Sequence, residues 1–275
     1  MKKDIFYRAL IYVILFIIVI IMIGPFWWMV TTSFKPTGEI FTFPPTIIPS
    51  EFTFSNYTFM WSTAPLGRFW LNSLLIASVV TPAVMFITSL AGFAFARLDF
   101  KGKRVLFYLL LASLTGPLFA ILIPSFFVIS KAGLYNTYFA IILPYIGWNI
   151  ALPTLIIRAF FESIPSSVGD SAKIDGCSTF TTYRKIMLPL VMPGLVTVGI
   201  FTWMYTWDEL AWAITATSSM EMRTMSAGIT MFQTQYFSQW GPLCAAAVFG
   251  VLPSIILFIV MQKYYKPTLA VTGMK

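Results

Sequence analysis

The stretch LIYVILFIIVIIMIGPFWWMV, Leu10 to Val30, carries no charged residue and limits what the chain can fold into more than any other feature. Hydrocarbon offers a backbone N–H or C=O no water, so a spanning segment is either a helix of about 20 apolar residues or part of a closed barrel. Five further runs of this kind follow, at about Leu71–Ala96, Val105–Ile129, Thr137–Phe160, Ile186–Ile214 and Leu243–Tyr264. Composition agrees, with 58% apolar and 10% charged residues, against about 25% charged in a soluble domain. The expected fold class is all-α integral membrane, six transmembrane helices in a single domain over residues 1–275. Lys2, Lys3 and Arg8 precede the first run as they would a signal peptide. That run is too long for a signal core and has no small-residue cleavage site, so it reads as an anchor.

The net charge is +8 with no histidine. The basic residues lie in the gaps between runs, which is a topology signal and not a nucleic-acid face. Lys2, Lys3 and Arg8, then Arg97, Lys101, Lys103 and Arg104, then Lys173, Arg184 and Lys185, then Lys263, Lys266 and Lys275 fall on one side. The opposite loops hold only Lys35, Arg68, Lys131 and Arg223. The positive-inside rule then predicts a multi-pass protein of the cytoplasmic (inner) membrane with both termini cytoplasmic. Membrane lipid is a partner, and ARLDFKGKR could hold an anionic headgroup, although topology alone explains it. Trp207 and Trp212, near a span end, read as interfacial anchors. Cys177 and Cys244 have neither metal nor disulfide spacing and read as packing residues. Without histidine or a GxxxxGK[ST] pattern, the sequence offers no catalytic residue, metal site or nucleotide cradle.

Between the fourth and fifth runs stands DSAKIDGCSTFTTYRKIMLPLVMPG, residues 170–194. Pro165 ends what precedes it. Val168 to Ile174 suits a short helix, Gly176 is a natural C-terminal stop, and Ser178 or Thr179 can cap a second helix entering the fifth run. Pro189 and Pro193 bend or interrupt that run. The product is a helix-turn-helix at the cytoplasmic surface over residues 165–188, with Asp170, Lys173 and Asp175 beside the small Ser171 and Ala172. It suits docking into a groove, and the same charges also suit a solvated topology loop.

The spacing of DSAKIDG and the following LP resembles the EAA loop of permeases in binding-protein-dependent ABC importers. Asp170 stands for the Glu, Ser171 and Ala172 for the two alanines, Gly176 for the glycine, and Leu188 with Pro189 for the Leu-Pro. PFWWMVTTSFKP, NSLLIAS, AGFAFARLDFKGK, TWDEL and LAVTGMK resemble the maltose-type sugar permeases. The resemblance implies a type I importer permease fold and a second homologous permease subunit as partner. It also implies two cytoplasmic ABC ATPase subunits that carry ATP and Mg2+, and an extracytoplasmic sugar-binding protein. This chain itself would bind no cofactor. Asp170 to Lys173, Asp175, Gly176, Leu188 and Pro189 become the expected ATPase-coupling residues.

Trp203, Tyr205, Asp208 and Glu209 are the candidates for a substrate path, Trp203 and Tyr205 as aromatic faces for a sugar ring. The stretch RTMSAGITMFQTQYFSQWG offers Gln233, Gln235, Tyr236 and Gln239 as contacts for the binding protein. Two rival readings remain. An ion-coupled secondary transporter needs acids inside the membrane, and only Asp208 and Glu209 lie near a span interior. A non-conducting scaffold subunit needs no path at all.

Overall fold

The computed structural model describes residues 2–233 and 239–272, and every element among them is a helix. The first eight are α1 (Lys2–Ser33), α2 (Ser55–Thr63), α3 (Leu66–Arg97), α4 (Lys103–Ser113), α5 (Leu118–Lys131), α6 (Tyr138–Trp148), α7 (Ala151–Ser163) and α8 (Ser166–Ile174). Then come α9 (Thr179–Leu190), α10 (Met192–Asp208), α11 (Ala211–Ala216), α12 (Met225–Ile229) and α13 (Trp240–Thr272). The chain divides into two compact units, Met1–Leu66 with Gly228–Leu252 and Gly67–Ala227 with Pro253–Lys275.

Among the described residues, three helices are long and apolar enough to cross a membrane: Leu10–Ser33, Leu66–Arg97 and Trp240–Met261. Two bent pairs qualify jointly, α6 with α7 at 45° and α9 with α10 at 75°. These are the fourth and fifth apolar runs, broken where Asn149 and Val191 leave helical geometry. The third run differs from expectation. LTGP at 114–117 divides it into α4 and α5, because Pro117 lacks an N–H and disfavours helix at Gly116. A six-span count therefore requires α4 and α5 to be taken together.

In the first unit an 18-residue apolar window of α1 has no residue buried, so its side chains are exposed on every side. The loop that follows is tied by polar groups. The Lys35 ammonium, 1% exposed, donates to the Thr46 carbonyl and lies 4.2 Å from the Trp28 ring centre. Glu39 accepts from the Ser50 N–H at 2.9 Å and its hydroxyl at 2.8 Å. Asn56 donates to the Ser33 and Lys35 carbonyls at 3.0 and 2.8 Å.

The core of the second unit gathers Ile76, Val80, Val84 and Phe93 of α3, Ile141 and Tyr145 of α6, Ile157 and Phe161 of α7, and Tyr183, Met187, Leu195, Val198 and Trp212. Small residues bring its helices close. A Cβ on Gly92 would stand 2.9 Å from Ile157 Cγ2 and 3.0 Å from the Arg158 nitrogen, and one on Gly194 would stand 2.6 Å from the Phe160 ring. Such close approach is how helices gain dispersion contact where lipid removes the hydrophobic drive.

Candidate coupling segment and access path

The helix-turn-helix anticipated at residues 165–188 is present, and the backbone explains its shape. Ile164 is extended before Pro165, as a residue preceding proline prefers. α8 starts at Ser166, two residues ahead of the expected Val168, and ends at Ile174. Gly176 has φ +75°. Its N–H bonds the Lys173 carbonyl at 3.0 Å and the Cys177 N–H bonds that of Ala172 at 2.9 Å, the two bonds of a Schellman stop. Ser178 then caps α9 by accepting the Thr181 N–H at 3.2 Å. Residues Thr182–Met187 are wound as a π-helix, one turn ahead of Pro189, and the chain bends at Val191.

The two faces of this segment differ. Asp170, Ser171, Lys173, Asp175 and Gly176 are exposed, and Asp170 lies 3.7 Å from Lys173 across one turn. Ala172 is buried, Leu188 is partly buried against the core, and Pro189 is exposed. Two apolar side chains that the sequence reading passed over stand on the outside: Ile174 is 86% and Phe180 62% exposed. A lone Ile between Lys173 and Asp175, on a turn with only one buried side, is the signal that would have found it.

The inner face is fastened through Tyr183, and the end of α7 beside it through Arg97. The Tyr183 hydroxyl lies 2.7 Å from that of Ser89 on α3 in a buried contact, and its ring centre lies 5.2 Å from that of Phe93 and 6.5 Å from that of Phe161. Phe93 and Phe161 meet edge-on at 5.5 Å. Arg97, read from sequence as a topology charge or a headgroup contact, directs one guanidinium nitrogen at the carbonyls of both Phe161 and Ile164, where α7 ends. A cation at the C-terminal carbonyls of a helix opposes its dipole and supplies a donor there, here beside the Ile164 N–H that also bonds the Phe161 carbonyl at 3.2 Å. Beneath the turn is a cavity of about 260 Å³ lined by Arg97, Asp170, Lys173 and Cys177 among others.

On α10 the four path candidates separate. Asp208 is exposed. Glu209 closes the helix, and its carboxylate accepts the Tyr145 hydroxyl at 2.6 Å and the N–H groups of Trp212 and Ala213 at 3.0–3.2 Å. The Trp203 indole N–H and the Tyr205 hydroxyl are buried without a hydrogen-bond partner. Trp203 stacks on Trp207 at 6.2 Å. Trp207 and Trp212 are not the interfacial anchors their place near a span end implied. They are 3% and 0% exposed, and the Trp212 indole donates to the Ala140 carbonyl at 2.9 Å. With its N–H satisfied inside the protein, the ring has no need of an interface.

Of the outer-loop candidates, Gln233 is exposed and Gln239 is half-buried, lining a cavity of about 370 Å³ with Phe41, Asn56 and Trp240. Gln235 and Tyr236 lie outside the described residues.

Residues 85–271 match the sequence profile of the family described as "Binding-protein-dependent transport system inner membrane component". The chain is 34% identical to a probable ABC transporter permease protein, YurM, of Bacillus subtilis, over 93% of this chain and 84% of that protein. It is 34% identical to the sulfoquinovosyl glycerol transport system permease protein SmoH of Agrobacterium fabrum, over 90% and 87%. With the trehalose/maltose transport system permease protein MalG of Thermococcus litoralis it shares 30% identity over 100% and 99%. Its fold is similar to a chain of the solved bacterial ABC transporter that imports the acidic polysaccharide alginate, with TM-score 0.80 at 20% identity over 96% and 98%. The profile covers most of the chain and the relatives align along nearly all of it: this protein belongs to the binding-protein-dependent transport system inner membrane component family.

Proposed function

We propose that the chain is one permease subunit of an ATP-driven sugar importer, forming half of the translocation path and taking its motion from a cytoplasmic ATPase. The observation that carries this reading is the two-faced segment at 165–188. Its exposed turn presents Asp170, Lys173, Ile174 and Asp175, while Tyr183 fixes its inner face to Ser89 and Phe93 of α3 and to Phe161 of α7, and Arg97 of α3 holds the end of α7 from which the segment leaves. A surface pushed by a partner transmits force only when its footing is rigid, and this footing is aromatic packing closed by the buried hydrogen bond between Tyr183 and Ser89.

In this reading the termini and residues 165–188 are cytoplasmic, and two ATPase subunits hold ATP and Mg2+. α10, with Trp203, Tyr205, Asp208 and Glu209, borders the path, and the exposed α1 lies against lipid or a second permease subunit. The outer loop with Gln233 and Gln239 faces a sugar-binding protein. Relatives named for trehalose/maltose, diacetylchitobiose and arabinooligosaccharide transport support the sugar class. ATP binding at the motor changes access because a ligand shifts a conformational equilibrium by its differential affinity for the two states.

Purification of the tagged chain from its native membrane tests the reading. Co-elution of an ABC ATPase and a second permease, with hydrolysis stimulated by a sugar-loaded binding protein, is the expected result. A chain that purifies without an ATPase and still carries solute down an ion gradient would establish the secondary-transporter alternative.

A further inference from the structure

Glu209 joins two interruptions of the membrane helices. It closes α10 and, through Trp212 and Ala213, caps α11. Through Tyr145 it reaches α6, one turn before the break that separates α6 from α7. Its own carbonyl accepts the Ser226 hydroxyl at 2.8 Å, and the next residue back, Met225, donates its N–H to Ser73 at 2.8 Å. The side chain thus links α6 to the α10–α11 break, and the main chain of the same residue holds the segment at Ser226.

Four residues earlier on α10, the Tyr205 hydroxyl is buried and unpartnered, although its ring lies edge-on to that of Tyr145 at 5.8 Å. Burying a polar group without a partner is unfavourable, and in a native protein such a group asks for a reason. Residues at i and i+4 share a helix face. A Glu209 carboxylate that releases Tyr145 therefore has a second phenol on its own face of α10.

We propose that Glu209 is a positioning residue of the access change with two alternative partners, Tyr145 in the state described here and Tyr205 in the other. In the present state the carboxylate ties α6 to the α10–α11 break. In the other the bond closes within α10, and α6 moves independently of it. One phenol is satisfied in each state, so the exchange conserves the number of hydrogen bonds and favours neither state strongly. This near-balance lets an outside ligand decide the population. It also keeps the acid paired throughout, as an ionisable group within the membrane requires.

The proposal rests on the permease reading, and its test separates the two. The chain is purified with its partner subunits, reconstituted into proteoliposomes, and compared as Tyr205→Phe, Tyr145→Phe and the double variant. Each substitution removes one hydroxyl and keeps the ring. Tyr205→Phe is expected to assemble and to lower maximal uptake about fivefold, the equivalent of one hydrogen bond of about 1 kcal/mol, with KM unaltered. Tyr145→Phe is expected to raise ATP hydrolysis in the absence of binding protein, and the double variant to bring it back toward the parent. Uptake by Tyr205→Phe equal to the parent, a change confined to its KM, or a double variant whose basal hydrolysis stays as high as that of Tyr145→Phe would overturn the exchange. A structure of the ATP-trapped complex with Glu209 still on Tyr145 would overturn it as well, without dependence on any variant's folding. Absence of an ATPase from the preparation would be a different failure, that of the permease reading itself.

Discussion

The hydroxyls of Tyr183 and Ser89 lie 2.7 Å apart in a fully buried contact, across ninety-four residues of sequence. Tyr183 belongs to the π-helical part of α9 and Ser89 to the last third of α3, so this bond and the Phe93 ring beneath it join the docking turn to a long membrane helix. π-turns concentrate at functional sites because the extra residue re-aims a side chain. Here the π-turn carries the side chain that reaches α3.

Tyr183→Phe removes that bond while leaving the aromatic packing, and Ser89 keeps its bond to the Phe86 carbonyl at 2.8 Å. The expected loss is about 1 kcal/mol of footing. Solute carried per ATP hydrolysed, measured in proteoliposomes, is expected to fall while co-purification with the ATPase is retained. An unchanged transport stoichiometry would show that the bond plays no part in force transmission.

Gly176→Val acts differently, because a Cβ there meets nothing within 4 Å and the difficulty lies entirely in φ +75°. A left-handed conformation costs an L-residue about 1–2 kcal/mol, and a β-branched one accommodates it least well. Membrane insertion is expected to be normal and ATP-dependent uptake strongly reduced, with Gly176→Asn intermediate because Asn tolerates the conformation. Immunoblotting of membranes beside uptake assays separates the two effects, and full uptake by the Val variant would refute the coupling role of this turn.

Arg97→Ala takes the guanidinium donor from the Ile164 carbonyl and from the Phe161 carbonyl, which keeps the Ile164 N–H at 3.2 Å. A partly buried acceptor left without a donor costs about 1 kcal/mol, so thermal unfolding of the detergent-solubilised protein is expected a few degrees lower. Hydrogen exchange is expected to rise first in α8 and the end of α7. Arg97→Lys, a compact ammonium in place of a planar fork, is expected to recover only part of the loss.

Glu39 gives a pH dependence outside the membrane helices. The Ser50 N–H above all, with the Ser50 hydroxyl and the Lys35 ammonium, holds its carboxyl below the ordinary glutamate range despite some burial. A group with a depressed folded pKa contributes stability above its unfolded value of 4.5 and loses it as the pH falls through the folded one. Proteolysis of the loop between α1 and α2 is therefore expected to accelerate below about pH 4.5. Glu39→Gln is expected to make it equally susceptible at neutral and acidic pH. A parent loop that stays resistant throughout this range would contradict the assignment.

The sequence alone determined the helical membrane class, because a run such as Leu10–Val30 has one way to satisfy its backbone in lipid. It also determined the outline of the docking turn, since Pro165, Gly176 and Ser178 act through backbone sterics and capping within a few residues of themselves. Only the tertiary structure decided what these elements rest on. The contact of Tyr183 with Ser89, of Arg97 with the end of α7, and of Glu209 with Tyr145 each join residues more than sixty positions apart. No local rule couples residues so distant. Burial likewise turned Trp207 and Trp212 from expected anchors into core residues, because hydrophobicity marks an indole for removal from water without saying whether lipid or protein receives it. The break within the third run belongs to both levels, with LTGP written in the chain and its effect on the path of α4 and α5 decided in the fold.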